Sequence, residues 1–173
     1  MTTPNQGSVS SAVPPTGAPA RRAVGTTADR LLATDLASEV EFLAARARAV
    51  GTARANELLA GINLRVRSYS VLALACSGEN PSQRELAEFL SLDASQIVAL
   101  VDELESRDLV VRAADRRDRR SNSISATAAG RELYVAARAA IREAESESLR
   151  ALSVSEQESL RSLLRRIAFE QSE

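Results

Sequence analysis

Two short helical segments, each opened by a capping signature, are followed at once by a strand, an arginine-rich run and a second strand. This order constrains the chain more than any other feature. Gly78-Glu79-Asn80-Pro81 is a turn signal. Ser82-Gln83-Arg84-Glu85 then reads as a capping box, the serine and glutamate reciprocally satisfying open amides at a helix start. The helix it opens carries Leu86, Ala87, Phe89 and Leu90. After Ser91-Leu92, the set Asp93-Ala94-Ser95-Gln96 repeats the signature. Ile97, Leu100, Val101 and Leu104 form one face of the next helix, and Ser95, Gln96, Ala99 and Glu103 lie opposite.

Leu109-Val110-Val111-Arg112 and Asn122-Ser123-Ile124-Ser125 read as short strands, so Asp115-Arg116-Arg117-Asp118-Arg119-Arg120 reads as a hairpin tip. A helix-turn-helix followed by a basic hairpin is a winged helix. The second helix of such a pair presents its outward N-terminal residues to base edges, and the hairpin arginines meet phosphate or the minor groove. The candidate DNA contacts are Ser82, Ser95, Gln96, Ala99, Arg116, Arg117, Arg119 and Arg120. Asp118, paired with Arg120, is the candidate for shaping the wing. Taken alone, the run could be a solvated loop whose charges neutralise one another; the capped helices before it favour the wing.

The 173 residues carry a formal net charge of only −1, so any affinity for DNA has to come from local charge. Histidine and lysine are absent, and there is one cysteine. The missing histidine removes the usual general base and the commonest metal ligand, which leaves no catalytic or metal-binding residue to nominate and no cofactor to expect. A lone cysteine excludes an intrachain disulfide, as suits a cytoplasmic protein. Residues 1–27 are rich in Pro, Ser, Thr, Gly and Ala and contain no Leu, Ile or Phe, so they read as a disordered tail without the apolar stretch of a signal peptide. No segment approaches the roughly 18 apolar residues of a membrane span.

Helical patterns flank the winged helix. From Arg30 to about Ile62, the positions Leu32, Leu36, Val40, Leu43, Ala47, Val50, Arg54 and Leu58 make one long stripe, with Gly51 a possible bend. Asn63 closes it, since asparagine tolerates the left-handed conformation. Thr127 opens a long helix reaching about Arg150, and Ser153-Val154-Ser155-Glu156 caps a last one bearing Leu160, Leu163, Leu164 and Ile167. A small winged helix cannot cover both stripes, so two copies are expected to associate through their termini as a two-fold dimer. The expected architecture is mainly α with a small β-wing: tail 1–27, N-terminal dimerisation helix 28–62, winged helix-turn-helix 63–126 and C-terminal dimerisation helices 127–173.

These segments resemble the MarR family of bacterial transcriptional regulators. Leu64 to Leu72 resembles the family's second-helix opening, and Ser82 to Leu109 its helix-turn-helix, with Glu85-Leu86-Ala87 and Leu104-Glu105 at family positions. Asp115 to Arg120, followed by Ile124, Thr127 and Gly130, resembles its Asp-x-x-Asp-x-Arg wing and Leu-Thr-x-x-Gly exit. Asp108 replaces the usual glycine after the recognition helix, and Ala126 the usual leucine before Thr127. Ala94 and Ala99 stand where polar or basic residues are frequent, and Asp102, Glu103 and Glu105 make this helix acidic. Direct readout would then fall largely to Ser95 and Gln96, with wing and DNA shape carrying the rest.

The resemblance also implies a pocket between dimerisation helices and winged helix for a phenolic or carboxylate-bearing effector. Arg46, Arg54, Arg65 and Tyr69 are its candidates, each weighed against solvated or ion-paired arginine and core tyrosine. Cys76, in Leu74-Ala75-Cys76, reads as an inert, mostly buried thiol rather than a redox sensor. The function implied is a homodimeric repressor of a palindromic operator, partnered by double-stranded DNA and relieved by a small molecule. The alternative is a helical dimer that keeps the fold as an interaction or small-molecule-binding module without binding DNA.

Overall fold

The computed structural model describes residues 26–114 and 122–170. The wing tip, with Arg116, Arg117, Asp118, Arg119 and Arg120, and residues 1–25 of the expected tail lie outside the described residues.

Among the described residues, those up to Glu39 and those from Val40 onward form separate compact units. In the first, α1 spans Thr27–Leu32 and a 3-10 turn spans Asp35–Ser38. Thr26 caps α1 in a box with Asp29, so an ordered helix begins at the end of the expected tail. The single helix expected from Arg30 to Ile62 is not formed. The Thr34 hydroxyl donates to the Leu31 carbonyl at 2.7 Å, a local bond that competes with helix continuation. Thr34 and Glu39 both take extended backbone angles. Leu32 and Leu36 therefore do not share a helix with Leu43.

In the second unit, α2 spans Val40–Ala60 and runs on through Gly51, α3 spans Val66–Ala75, α4 Gln83–Leu90 and α5 Ala94–Ser106. Strands β1 (Val110–Ala114) and β2 (Asn122–Ala126) pair antiparallel, Val110 opposite Ala126 and Ala114 opposite Asn122. Then come α6 (Ala128–Ser148) and α7 (Val154–Phe169). The chain is thus mainly helical with one two-stranded antiparallel sheet, the winged-helix arrangement.

The core gathers Leu59 of α2, Val71 and Leu72 of α3, Leu86 of α4, Ile97, Val101 and Leu104 of α5, Val110 and Ile124 of the sheet and Ala137 of α6. Each of the winged-helix elements contributes its apolar face to it. Turns are fixed by polar residues that accept positive φ: Asn63 at 54°, Ser91 at 51° and Asp108 at 55°. Asp108 adopts the conformation for which glycine is usual. Thr127 locks β2 to α6 at the same corner. Its hydroxyl donates to the Asp108 carbonyl at 2.7 Å and accepts from Gly130 N at 2.9 Å.

The stripes expected to need a partner remain open to solvent. Val40, Leu43 and Val50 on α2 are exposed, as are Leu163, Leu164 and Ile167 on α7, whereas α2 turns Ala55 and Leu59 to the core.

Candidate nucleic-acid interface

Helix α5 owes its orientation to a strict division of its faces. Ile97, Val101 and Leu104 are fully buried, which turns Ser95, Ala99 and Asp102 outward on the opposite side. Helix α4 packs beside it, and the turn at Ser91-Leu92 is closed by Leu92 N donating to the Ala87 carbonyl at 3.0 Å. The pair is a helix-turn-helix with the first turn of α5 at its surface.

The predicted contact residues are placed unequally. Ser95 and Ala99 are exposed and side by side, one helical turn apart. Gln96 is half-buried, and its side-chain oxygen accepts from Asp93 N at 3.4 Å, so the group suited to adenine also serves the helix cap. Ser82 is 9% exposed, and its hydroxyl is engaged twice by Glu85: it donates to Oε2 at 2.9 Å and accepts from the amide at 3.2 Å. This serine is a cap residue, and its hydroxyl is committed there. Ser82 also bridges to Ser123 of β2, and Ile124 N donates to the Pro81 carbonyl at 2.9 Å. The strand leading out of the wing is thereby fixed to the start of α4.

The acidic character of α5 is offset in part inside the chain. Arg112 of β1 donates through one guanidinium nitrogen to Asp102 and through another to Glu105, while its backbone amide reaches Glu105 Oε1 at 3.2 Å. Arg107 pairs with Glu103 at 3.6 Å and donates to the carbonyls of Asn63 at 2.7 Å and Ile62 at 3.4 Å. Glu103 also accepts from the Ser68 hydroxyl at 3.2 Å. Sequence reasoning found the acidic residues and missed these partners, because the ion pairs of Arg112 span seven and ten residues across a helix–strand corner.

The candidate effector residues do not converge. Arg54 is bound by Glu147 of α6 through two nitrogens and by Glu57 at 3.0 Å, which holds its guanidinium above the ordinary value. It is a tie between α2 and α6. Arg46 is exposed on α2. Arg65 lies at a cavity of about 590 Å³ with Asn56, Asn63 and Glu103, and none of the other three candidates lines it. Tyr69 stacks on Tyr134 of α6, ring centroids 6.0 Å apart. Burial raises the Tyr69 phenol above its usual value, the nearby Tyr134 acts in the same sense, and Arg138 and Arg142 oppose them. Tyr134 was not nominated from sequence; nothing in its local pattern distinguishes a stacking tyrosine from a helix-face one. Cys76 is half-buried, and burial raises its thiol too.

A compact helix pair, a recognition helix with a polar outward face and the two antiparallel strands that follow it define a winged helix-turn-helix of the nucleic-acid-binding kind. A family model described as the MarR family matches residues 61–121. The crystal structure of a MarR-family transcriptional regulator from Rhodococcus sp. RHA1 is 41% identical, covering 79% of this chain and 96% of that one, with a TM-score of 0.75. CouR from Rhodococcus jostii RHA1 bound to p-coumaroyl-CoA is also 41% identical, covering 80% of this chain and 97% of that one, with a TM-score of 0.73. The transcriptional repressor CouR bound to a 23-mer DNA duplex is 28% identical over 77% of this chain and 94% of that one, with a TM-score of 0.71. No curated protein matches. The chain belongs to the MarR family of transcriptional regulators.

Among the described residues, no helix is long and apolar enough to cross a membrane.

Proposed function

We propose that this protein is a cytoplasmic, homodimeric repressor that binds a palindromic operator and is released by a small aromatic effector. The observation that carries the reading is the outward first turn of α5, Ser95 with Ala99, set in a winged helix whose relatives include a repressor on DNA. The exposed stripes of α2 and α7 support pairing of two copies, which would place the two recognition helices about 34–36 Å apart, one turn of DNA. The arginines of the segment between β1 and β2, Arg116, Arg117, Arg119 and Arg120, are proposed to supply phosphate contacts.

Effector chemistry follows from Tyr69 and Tyr134, a stacked aromatic surface with the cations Arg138 and Arg142 close enough to act on it. Such a surface suits a phenolic ring carrying a carboxylate or its thioester, and CouR binds p-coumaroyl-CoA. The rival module without DNA binding drew its support from the acidic α5; Arg112 and Arg107 offset two of its three carboxylate charges, which favours the DNA-binding reading. A mobility shift with DNA from the protein's own promoter region, with and without a hydroxycinnamate and its CoA thioester, tests the reading. The expected result is a discrete complex that the effector dissolves.

A further inference from the structure

Asp102 is a carboxylate of α5 that stands on the same outward face as Ser95 and Ala99. Left alone, it would point negative charge at the DNA that this face approaches. Glu105 lies one turn further along. Among the described residues, both are held by one side chain, Arg112, which is only 19% exposed while Asp102 and Glu105 are 60% and 40% exposed. The guanidinium therefore lies beneath the two carboxylates, between α5 and the base of the wing. A planar fork suits two carboxylates at once, and lysine could not reproduce the geometry.

We propose that Arg112 is a positioning residue for DNA recognition: it halves the negative charge that Asp102 and Glu105 set on the recognition helix beside phosphate, and it fixes the wing's first strand to that helix. The inference rests on the DNA-binding reading above. Arg112 itself does not touch DNA in this account. The backbone bond from Arg112 N to Glu105 adds the geometric half of the role, since it fastens β1 to α5 even before the side chain acts. The local sum of the three side chains is −1 with Arg112 present and −2 without it. Uncompensated like charge facing phosphate lowers affinity directly.

The test is a four-protein cycle: parent, Arg112→Met, Asp102→Asn and the double variant, each titrated with promoter duplex by fluorescence anisotropy over a range of salt. Arg112→Met should weaken binding by roughly tenfold. The double variant restores the local charge of −1 and should recover most of that loss, with a salt slope equal to the parent's. A direct phosphate contact behaves differently: its loss flattens the slope by roughly one unit per half-site, and Asp102→Asn does not rescue it. That outcome overturns the proposal. So does a loss that merely follows a reduced folded fraction in thermal melts of the same samples. If Arg112→Met does not fold, Arg112→Gln keeps hydrogen-bonding capacity without charge and must show the same loss and rescue. A parent that binds no DNA sinks the functional reading as well, whereas a parent that binds while the cycle shows no rescue sinks only the role of Arg112.

Discussion

Gly130, in the first turn of α6, lies against the carbonyl group of Leu109 with no room for a side chain. A Cβ built on it would stand 2.9 Å from the Leu109 carbonyl carbon and 3.3 Å from its Cα, with the oxygen nearer still. This contact, beside the Thr127 cap, sets where the long helix leaves the winged helix. Because the clash is with backbone, it cannot be relieved by a rotamer change. Gly130→Ala should destabilise the fold by about 1–3 kcal/mol, despite alanine's better helix propensity. Urea denaturation measures it, and a neutral or stabilising result would mean the corner is looser than described.

Ser82 acts as a cap alone, whereas Gln96 caps α5 and is also the expected reader, so their variants should differ. Ser82→Ala removes both hydroxyl bonds to Glu85 and should cost about 1 kcal/mol of stability, leaving the preference among DNA sequences unchanged. Gln96→Ala should relax preference at one base pair per half-site by about 1–3 kcal/mol, with the salt slope nearly unchanged. Melting curves alongside binding to single-base operator variants give both answers.

The α2–α6 tie should make stability depend on acid. Arg54 hydrogen-bonds Glu147 and holds its carboxyl below the usual carboxylate range. A carboxylate with a depressed folded-state pKa contributes stability that is present above its unfolded value and lost as pH falls through the folded one. Parent stability should therefore decline on acidification through and below the usual carboxylate range. Glu147→Gln should be less stable near neutrality and should show a shallower decline. Urea midpoints across that range, compared between the two proteins, decide it; parallel curves would show that the pair contributes nothing.

Much of this architecture was legible in local sequence, because caps and turns are local events. Ser82 with Glu85 and Ser153 with Glu156 form the boxes that their spacing announced, and Asn63 and Asp108 take the left-handed conformation that their chemistry allows. The break at Thr34 was missed, since the period of Leu32, Leu36, Val40 and Leu43 continues across it while a single hydroxyl bond to Leu31 interrupts the backbone. Arg112 and Tyr134 were missed for the opposite reason. Their partners lie on other elements, and a strand arginine or helix tyrosine carries no local mark of what the fold brings beside it. The exit glycine was visible as a resemblance, but its cause, the Leu109 carbonyl, belongs to tertiary structure.

The open apolar stripes predict that the folded species in solution is a pair. Sedimentation at micromolar concentration should give twice the chain mass of 18.5 kDa. Placing aspartate at both Leu163 and Ile167 should shift the population toward single chains and weaken DNA binding together with it. A stable, well-folded single chain in the parent would contradict the shared interface and the palindromic site.

The most direct test of the central claim is affinity for the protein's own promoter duplex and for a random duplex of equal length, measured as a function of salt. The account predicts tighter binding to the promoter and a linear log–log decline with salt for both. Alanine at a phosphate-contacting wing arginine among Arg116, Arg117, Arg119 and Arg120 should flatten the slope by roughly two units per dimer. Equal, negligible binding to both duplexes, or a slope that all four single alanine variants leave untouched, would contradict it.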